Sequence, residues 1–230
     1  MRSDRLVSVI MPVFNTERYV AEAVWSVLNQ TYTNVETICL DDGSEDNSLD
    51  ILHSFGERVR VIESKENAGI GKARNKGLME AKGDFIAFID ADDIWEKDKL
   101  EKQLTAFDQD PDLKMCFTYM QCFLSPELPE EVKRIRYCPT EPIPGHVAGT
   151  CLLKKEVVDR VGTFDETLRI GEFIDWNTRA QDAGMRSTML QDILYRRRVH
   201  DSNTGIQERP SRTDYLKVVR NALERRNNKD

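Results

Sequence analysis

One stretch of the chain, F-I-A-F-I-D-A-D-D from Phe85 to Asp93, joins a short apolar run directly to an acidic turn. A short apolar run bounded by polar residues is typical of a strand covered on both faces of a parallel sheet. Three earlier runs have a similar form and also lead into polar turns: Leu6 to Val13, Val35 to Leu40 and Val59 to Glu63. Segments with helical periodicity lie between them, which predicts an α/β fold with a mainly parallel central sheet flanked by helices.

The ends of these strands carry polar side chains. The strands lead to Asn15, to Asp42, to a loop containing Gly69 and Gly71, and to Asp92. Because parallel strands end at the same edge of a sheet, these residues are expected to lie along that edge. Ligands of open α/β sheets bind outside the carboxyl ends of the strands, so we expect the functional site there.

The second half of the chain is less regular. Its spacing of apolar residues predicts a helix over Ile94 to Phe107, a strand over Val147 to Leu153, a short helix over Glu156 to Val161, and helices over Trp176 to Ala183 and Ser211 to Arg226. Five prolines predict a loop over Ser125 to Pro144 that is either disordered or functional, and a functional loop there would close over a bound ligand. We expect one domain over residues 1–205, with halves 1–107 and 108–205, and a C-terminal helical tail over residues 206–230.

Composition excludes several classes of protein. The chain has 33 basic and 40 acidic residues, a net charge of -7, whereas binding to a nucleic-acid backbone needs a basic surface. No apolar run approaches the roughly 20 residues of a membrane-spanning helix, and the N-terminus does not resemble a signal peptide. Five cysteines without zinc-site spacing indicate a reducing compartment. We therefore expect a cytoplasmic protein that does not bind nucleic acid.

The predicted C-terminal helix has an apolar face and a basic face that includes Arg220, Arg225 and Arg226. Three partners for this helix stay open: its own domain, a second subunit in a homodimer, or the anionic inner surface of a membrane as a peripheral contact. Packing on its own domain is the commonest outcome for such a helix.

The acidic turn Asp90 to Asp93 has two interpretations. Two carboxylates one residue apart at a strand end provide oxygen ligands for a hard divalent cation. Alternatively, Asp92 and Asp93 stabilise the dipole of a following helix. The turn after the second strand is also open, because Asp42 either belongs to a plain strand-to-helix turn or accepts hydrogen bonds from a base or ribose.

Three further sets of residues each have a functional and a structural interpretation. Arg74, one turn into the helix after Gly69 and Gly71, suits a phosphate but also suits a solvated helix face. Glu172 and Asp175 are three residues apart, so both are expected to point the same way, and either is a candidate general base. Asp175 is alternatively a helix N-cap. His200 is either a ligand or a structural histidine.

Nine motifs occur in order along the chain. They are V-S-V-I-M-P-V-F-N (Val7 to Asn15), Q-T-Y (Gln30 to Tyr32), D-D-G-S-E-D (Asp41 to Asp46), N-A-G-I-G-K-A-R-N-K-G (Asn67 to Gly77), G-D-F-I-A-F-I-D-A-D-D (Gly83 to Asp93), G-T-C-L-L-K (Gly149 to Lys154), V-G-T-F-D-E-T-L (Val161 to Leu168), G-E-F-I-D-W (Gly171 to Trp176) and R-R-R-V-H-D-S-N (Arg196 to Asn203). With these motifs the chain resembles the family 2 glycosyltransferases of the GT-A fold.

The resemblance implies a nucleotide-binding first half and an acceptor-binding second half. The nucleotide-binding residues implied are Pro12, Val13, Phe14, Asn15, Glu17, Asp42, Asn67, Gly71, Arg74, Asp90 and Ala91. Asp92 and His200 are implied ligands of Mn²⁺ or Mg²⁺. The family's acid pair is usually Glu-Asp, whereas Phe173 follows Glu172 here, so the resemblance leaves the choice between Glu172 and Asp175 as the base open.

The activity implied is inverting, metal-dependent transfer of a sugar from a nucleoside-diphosphate sugar, expected to be uridine-linked, to an acceptor hydroxyl in polysaccharide biosynthesis. The acceptor is a carbohydrate, a lipid-linked molecule or a protein. One alternative is a non-catalytic nucleotide-sugar binding module, favoured by Phe173. The other is a sugar nucleotidyltransferase, which would need a glycine-rich loop near the N-terminus that the sequence does not contain.

Overall fold

A computed structural model describes residues 5–203, 211 and 213–227. Its strands and helices are β1 (Val7–Val13), α1 (Val20–Leu28), β2 (Val35–Asp41), α2 (Ser48–Ser54), β3 (Arg60–Glu63), α3 (Ile70–Glu80), β4 (Phe85–Phe88), β5 (Ile94–Trp95), α4 (Lys99–Gln109), β6 (Met115–Leu124), α5 (Glu130–Ile135), β7 (Ile143–Pro144), β8 (Leu152–Lys154), α6 (Lys155–Val161), α7 (Glu172–Asp182), β9 (Ser187–Val199) and α8 (Thr213–Asn227). Short 3₁₀ helices cover Gly56–Arg58 and Ala148–Thr150.

The strands form one sheet in the order β3-β2-β1-β4-β8-β6-β9-β5, with β7 paired to β6. The first four strands are parallel, and Val7 of β1 is in register with Val35 of β2 and Phe85 of β4. β8 is antiparallel to both β4 and β6, whereas β6 and β9 are parallel. The predicted α/β fold with a mainly parallel sheet is confirmed. The carboxyl ends of β1, β2 and β4 therefore lie at one edge.

Both faces of the sheet are covered, which explains the continuous apolar sequence of β1. Val9 and Met11 belong to the apolar cluster on one face, and Ile10 belongs to the cluster on the other face. On that second face α3 packs closely on β1. A Cβ atom on Gly77 of α3 would lie 2.4 Å from Cγ2 of Ile10, so this position tolerates only a glycine at the observed spacing.

Some helices and strands begin at other residues than predicted, where segments far apart in the sequence contact each other. Ile94 and Trp95 form a strand with β9 instead of beginning a helix, and the helix starts only at Lys99. β9 was not predicted, because its sequence is largely polar. The predicted strand over Val147 to Leu153 begins only at Leu152, since the indole of Trp95 donates a hydrogen bond to the Gly149 carbonyl within a 3₁₀ turn.

The proline-rich segment over residues 125–144 is not a structureless loop. It contains α5 and β7, and the Tyr19 hydroxyl donates a hydrogen bond to Glu127 near its start. Glu127 also accepts a hydrogen bond from the Ser125 hydroxyl at 2.7 Å. Local prolines thus interrupt helices here without preventing the segment from packing.

The C-terminal helix α8 packs on α7 of the same chain. Arg225 Nη1 lies 3.1 Å from Asp175 Oδ1, and Arg225 Nε lies 3.4 Å from Asp182 Oδ2. Packing on its own domain is therefore the arrangement observed. The predicted boundary between residues 205 and 206 lies outside the described residues. Among the helices that are described, none is both long and apolar enough to cross a membrane.

A lysine is fully buried at the start of α4. Lys99 Nζ donates a hydrogen bond to Gln103 Oε1 at 2.8 Å and lies 4.1 Å from the ring centroid of Trp95. Burial lowers the pKa of Lys99 to about 7. In the unfolded chain the lysine keeps its ordinary pKa near 10.5, so between these two values the unfolded chain binds more protons than the folded one.

We predict that the free energy of unfolding of the Lys99→Met variant lacks the rise with pH that Lys99 causes in the native protein. In the native protein, Lys99 makes the free energy of unfolding rise from about pH 7 to pH 10, by on the order of 2–4 kcal/mol. The free energy of unfolding of Lys99→Met minus that of the native protein should thus be most positive below pH 7 and decline above it. Denaturant titrations across this pH range measure it. Lys102→Met, at a half-exposed lysine of the same helix, is the control. Parallel profiles for native protein and Lys99→Met would refute the prediction.

Candidate active site

A cleft of about 440 Å³ lies at the carboxyl ends of β1, β2 and β4, the edge predicted from the sequence. The first half of the chain contributes residues after each of these strands and at the start of α3. The second half contributes His146, Val147 and Ala148, residues 169–174, Arg197, and residues after β9. None of residues 125–144 lines the cleft, so the predicted closing loop does not form part of its wall.

Most of the predicted site residues line this cleft. They are Pro12, Val13, Phe14, Asn15, Asp42, Asn67, Arg74, Asp90, Ala91, Asp92, Glu172 and His200. Three predicted residues do not line it: Glu17, Gly71 and Asp175. The sheet edge therefore brings together side chains that are up to 188 positions apart in the sequence, from Pro12 to His200.

Asp92 and His200 are in direct contact. His200 Nε2 lies 2.8 Å from Asp92 Oδ2, and Asn203 Nδ2 lies 3.3 Å from the same oxygen. The other ring nitrogen of His200 lies 2.9 Å from Ser202 Oγ, and the ring packs 4.6 Å from that of Tyr19, centroid to centroid. These contacts fix the orientation of the imidazole, so that Nε2 faces the acidic turn.

Asp93, next to Asp92 in the chain, binds two residues of β9. Its carboxylate accepts hydrogen bonds from the Tyr195 hydroxyl and, at 2.6 Å, from the backbone N–H of Arg198. Burial raises the pKa of Asp93 well above its ordinary value, and the carboxylates of Asp92 and Asp90 raise it further. Arg198 Nε in turn donates to the Asp92 carbonyl at 2.9 Å. Asp93 and Arg198 thus hold β9 against the acidic turn.

Arg74 bridges two acids across the cleft. Its Nη2 donates to Asp90 Oδ1 at 2.8 Å, and its Nη1 donates to Glu172 Oε1. The Arg74 side chain is only 3% exposed. Burial acts to lower the pKa of Arg74, but the carboxylates of Glu172 and Asp90 outweigh burial and raise it, so the guanidinium is charged. Arg74 is therefore paired with two acids of the protein itself, although its side chain also lines the cleft.

Asp42 is likewise engaged with the protein. Its carboxylate accepts hydrogen bonds from the backbone N–H groups of Ala68 at 3.1 Å and Gly69 at 2.8 Å. Gly69 has a φ of +96°, a conformation that side chains disfavour. Asp42 thus fixes the loop that opens α3, and it faces the cleft as part of that loop.

Glu17 and Gly71 support the walls from outside the cleft. Glu17 Oε2 accepts hydrogen bonds from the backbone N–H of Asn47 at 3.0 Å and from its side-chain amide at 2.6 Å, at the start of α2. A Cβ atom on Gly71 would lie 3.3 Å from the Asp165 carbonyl oxygen, so this glycine permits close packing of α3 on the second half of the chain. Neither of these two predicted residues lines the cleft.

Glu172 and Asp175 do not point the same way, contrary to expectation. The helix α7 begins at Glu172, four residues before the predicted start, and Asp175 lies within it instead of capping it. Asp175 Oδ2 lies 2.8 Å from Arg179 Nε, its other oxygen pairs with Arg225, and it lines a different cavity with Thr163. Glu172 instead turns to Arg74, so the two acids have separate surroundings.

Several cleft residues had not been predicted as site residues: Thr16, Asp93, His146, Arg169, Arg197, Ser202, Asn203 and Tyr215. The arginine run before His200 was the available signal for part of this set. Arg197 lines the cleft, whereas Arg198 is buried behind it. Tyr215 offered no such signal, because it belongs to a helix predicted as a separate tail.

The pair formed by Asp92 and His200 fits a divalent cation. In the described part of the chain, no group of three or more His, Cys, Asp or Glu residues is arranged to hold a metal ion by itself. Mg²⁺ commonly uses one or two carboxylates together with waters and substrate phosphates. His200 Nε2 and Asp92 Oδ2 lie 2.8 Å apart, a separation at which both would reach one ion. The pair therefore suits a cation shared with a phosphate-containing ligand.

Replacing Arg74 tests the bridge across the cleft. We predict that Arg74→Leu lowers the free energy of unfolding by about 3–5 kcal/mol, because it leaves Glu172 buried without its cation. The matched control is Arg60→Leu, which removes an arginine paired with Glu80 where both side chains are about half exposed. That loss should be under about 1 kcal/mol. Urea denaturation measures both, and equal losses would contradict a special role for Arg74.

Comparison with known proteins places this arrangement in a family. The family model for glycosyl transferase family 2 matches residues 8–165. The Escherichia coli protein named UDP-Glc:alpha-D-GlcNAc-diphosphoundecaprenol beta-1,3-glucosyltransferase WfgD is 43% identical over 103 residues, covering 44% of this chain and 41% of WfgD. The chain thus spans about two fifths of the length of the first curated relatives it matches.

Solved structures show the same fold at low sequence identity. S. aureus TarS 1-349, in complex with UDP-GlcNAc, superimposes with a TM-score of 0.78 at 22% identity, over 95% of this chain and 66% of that one. The mannosyltransferase PcManGT from Pyrobaculum calidifontis, in complex with GDP-Man and Mn2+, gives a TM-score of 0.70 at 19% identity, over 96% and 64%. The fold is that of the GT-A glycosyltransferases. Because the family model covers more than half of the chain, this protein belongs to glycosyl transferase family 2.

Proposed function

We propose that this protein transfers a sugar from a nucleoside-diphosphate sugar to an acceptor hydroxyl, with inversion at the anomeric carbon and with help from a divalent cation. One observation carries the proposal: the contact between Asp92 and His200 and the bridge between Arg74 and Glu172 lie in one cleft. A uridine-linked donor is supported by the UDP-Glc in the name of WfgD and the UDP-GlcNAc bound to TarS.

The wall formed by residues 12–16 suits the nucleoside. Phe14 lines the cleft with 40% of its surface exposed, which provides a flat apolar surface for a base. Asn15 has a φ of 50°, its N–H donates to Ser44 Oγ at 3.0 Å, and its side chain accepts a hydrogen bond from the Glu45 N–H at 2.8 Å. This segment is therefore held rigidly. Pro12, Val13, Asn67, Asp90 and Ala91 complete the proposed nucleotide site.

Asp92 and His200 are the proposed ligands of Mn²⁺ or Mg²⁺. PcManGT was solved with Mn2+, which supports a metal in this fold. A bound divalent cation would neutralise negative charge that accumulates on the departing nucleoside diphosphate. Ser202, at 2.9 Å from His200 Nδ1, holds the ring so that Nε2 is directed at the acidic turn.

Thermal unfolding with UDP or GDP, each with and without Mn²⁺, tests the donor site. We predict that UDP with Mn²⁺ at about 100 times the dissociation constant stabilises the protein by about 2.7 kcal/mol, which raises the Tm by roughly 5–10 °C. Asp92→Asn should lose the metal-dependent part of the shift. Asp98→Asn, outside the cleft, serves as the control. A shift that needs no metal, or that survives in Asp92→Asn, would contradict the metal assignment.

Glu172 is the proposed general base. Its carboxylate lines the cleft, and Arg74 fixes its position. Glu172 would accept the proton from the acceptor hydroxyl as that oxygen attacks the anomeric carbon, while the nucleoside diphosphate leaves from the opposite face. Asp175 is not proposed as the base, because both of its oxygens pair with arginines outside the cleft.

Release of UDP from UDP-glucose or UDP-N-acetylglucosamine tests this assignment. We predict that Glu172→Gln lowers the turnover number by about 10²–10⁴-fold, since it removes the proton acceptor. Its dissociation constant for UDP should stay within about twofold of the native value, a factor worth under 0.5 kcal/mol. Asp175→Asn is the comparison variant and should retain turnover within the same factor. Loss of turnover in Asp175→Asn alone would exchange the two roles.

A second candidate function is a non-catalytic nucleotide-sugar binding module. Phe173, 5% exposed, packs with Phe164 and Trp176 at the position after Glu172, where the family usually has an aspartate. Arg74 also occupies one oxygen of Glu172. Nucleotide-sugar binding by the native protein without UDP release from either donor, and without any effect of Glu172→Gln, would favour this candidate.

A further inference from the structure

An aromatic side chain from the C-terminal helix completes the cleft beside Glu172. Tyr215 of α8 lines the cleft together with residues 169–174. A Cβ atom on Gly171 would lie 3.2 Å from Tyr215 Cδ1 and 3.3 Å from its Cε1, so the ring packs on the backbone of Gly171. Gly171 immediately precedes Glu172. The ring therefore contacts the backbone one residue before the proposed base.

The position of this ring is fixed by the docking of α8. Asp214 directly precedes Tyr215 in the sequence. Its Oδ2 accepts a hydrogen bond from the backbone N–H of Arg169 at 2.8 Å. Val218, one turn later, is 4% exposed. Arg225, near the end of the helix, pairs with Asp175 and Asp182. Contacts along the whole length of α8 thus hold Tyr215 at the rim of the cleft.

Tyr215 and Ile174 are two exposed apolar side chains of the cleft, in addition to Phe14 on the opposite half of the chain. Their relative exposures are 44% and 46%, and both line the cleft. Single exposed apolar side chains are ordinary on protein surfaces, so exposure alone indicates nothing. The placement is what matters: the ring packs on the residue before Glu172 and lines the same cleft, and an aromatic face near a carboxylate matches a sugar ring. Such a ring has an apolar C–H face that packs on an aromatic surface and hydroxyl groups that a carboxylate can accept from.

We propose that Tyr215, together with Ile174, forms the acceptor subsite, and that the acceptor group bound there is a carbohydrate ring. This inference rests on the proposed function, because it takes Glu172 as the base that receives the acceptor proton. Tyr215 is a specificity-determining residue in this arrangement: stacking on it presents a sugar hydroxyl to Glu172. The C-terminal helix is therefore part of the substrate site and not an appended tail.

Binding of simple glycosides tests the subsite without knowledge of the natural acceptor. The probes are the methyl β-glycosides of glucose, galactose, N-acetylglucosamine and mannose, titrated by saturation-transfer NMR in the presence of UDP and Mn²⁺. At least one should bind the native protein. Tyr215→Leu, which still covers Gly171 but has no ring, should weaken that glycoside about 3- to 10-fold. Tyr215→Phe should bind it as the native protein does.

Leu216→Ala is the matched control, since Leu216 is 72% exposed and does not line the cleft. The affinity for UDP should be the same in all variants, which separates loss of the subsite from general damage. Unchanged glycoside affinity in Tyr215→Leu, or no glycoside binding to native protein that binds UDP, would overturn the inference. So would an equal loss of UDP-sugar affinity in Tyr215→Leu, because it would place the ring at the donor sugar. Failure of UDP binding itself would instead count against the proposed function.

Discussion

The cleft depends on one buried cation. Arg74 extends from α3 in the first half of the chain, and it binds Asp90 after β4 and Glu172 at the start of α7. A buried carboxylate without a partner is costly, so the arginine and the two acids stabilise one another's positions. This bridge sets how close the start of α7 lies to the acidic turn. The geometry of any reaction between a donor at that turn and an acceptor near α7 follows from it.

A second set of contacts, made by Arg198 of β9, supports the acidic turn. Arg198 lies with its guanidinium carbon 4.8 Å from the ring centroid of Tyr19 and 4.7 Å from that of Phe123, and it donates to Glu22 of α1. Its backbone N–H and its side chain hold Asp93 and the Asp92 carbonyl. The acids of the cleft consequently divide into two groups. Asp42, Asp90, Asp93 and Glu172 bind protein donors that shape the walls, while the Asp92 carboxylate meets His200 and Asn203.

The same division bears on the chemistry of the second half. Phe173 follows Glu172 and packs among aromatic rings, so the acid that the start of α7 brings to the cleft is Glu172. Ile174, two residues after Glu172, and Tyr215, which packs on Gly171, contribute exposed apolar surface to the cleft. A carboxylate bordered by apolar surface and positioned by an arginine is an arrangement in which proton transfer and sugar stacking are compatible.

The sequence by itself determined the first four parallel strands, the sheet edge at which their ends meet, and the acids and glycine loop that lie there. These follow from local periodicity, because a buried strand needs a continuous apolar run and its polar end is adjacent in the chain. Only the tertiary structure decided that Glu172 enters the cleft while Asp175 does not, that β9 pairs with Ile94 and Trp95, and that Tyr215 reaches the site. Each of these depends on partners more than 40 residues away in the sequence, such as Arg74 for Glu172 and Arg225 for Asp175. Local patterns contain no information about which distant charge will neutralise a given carboxylate, and that choice is made by packing.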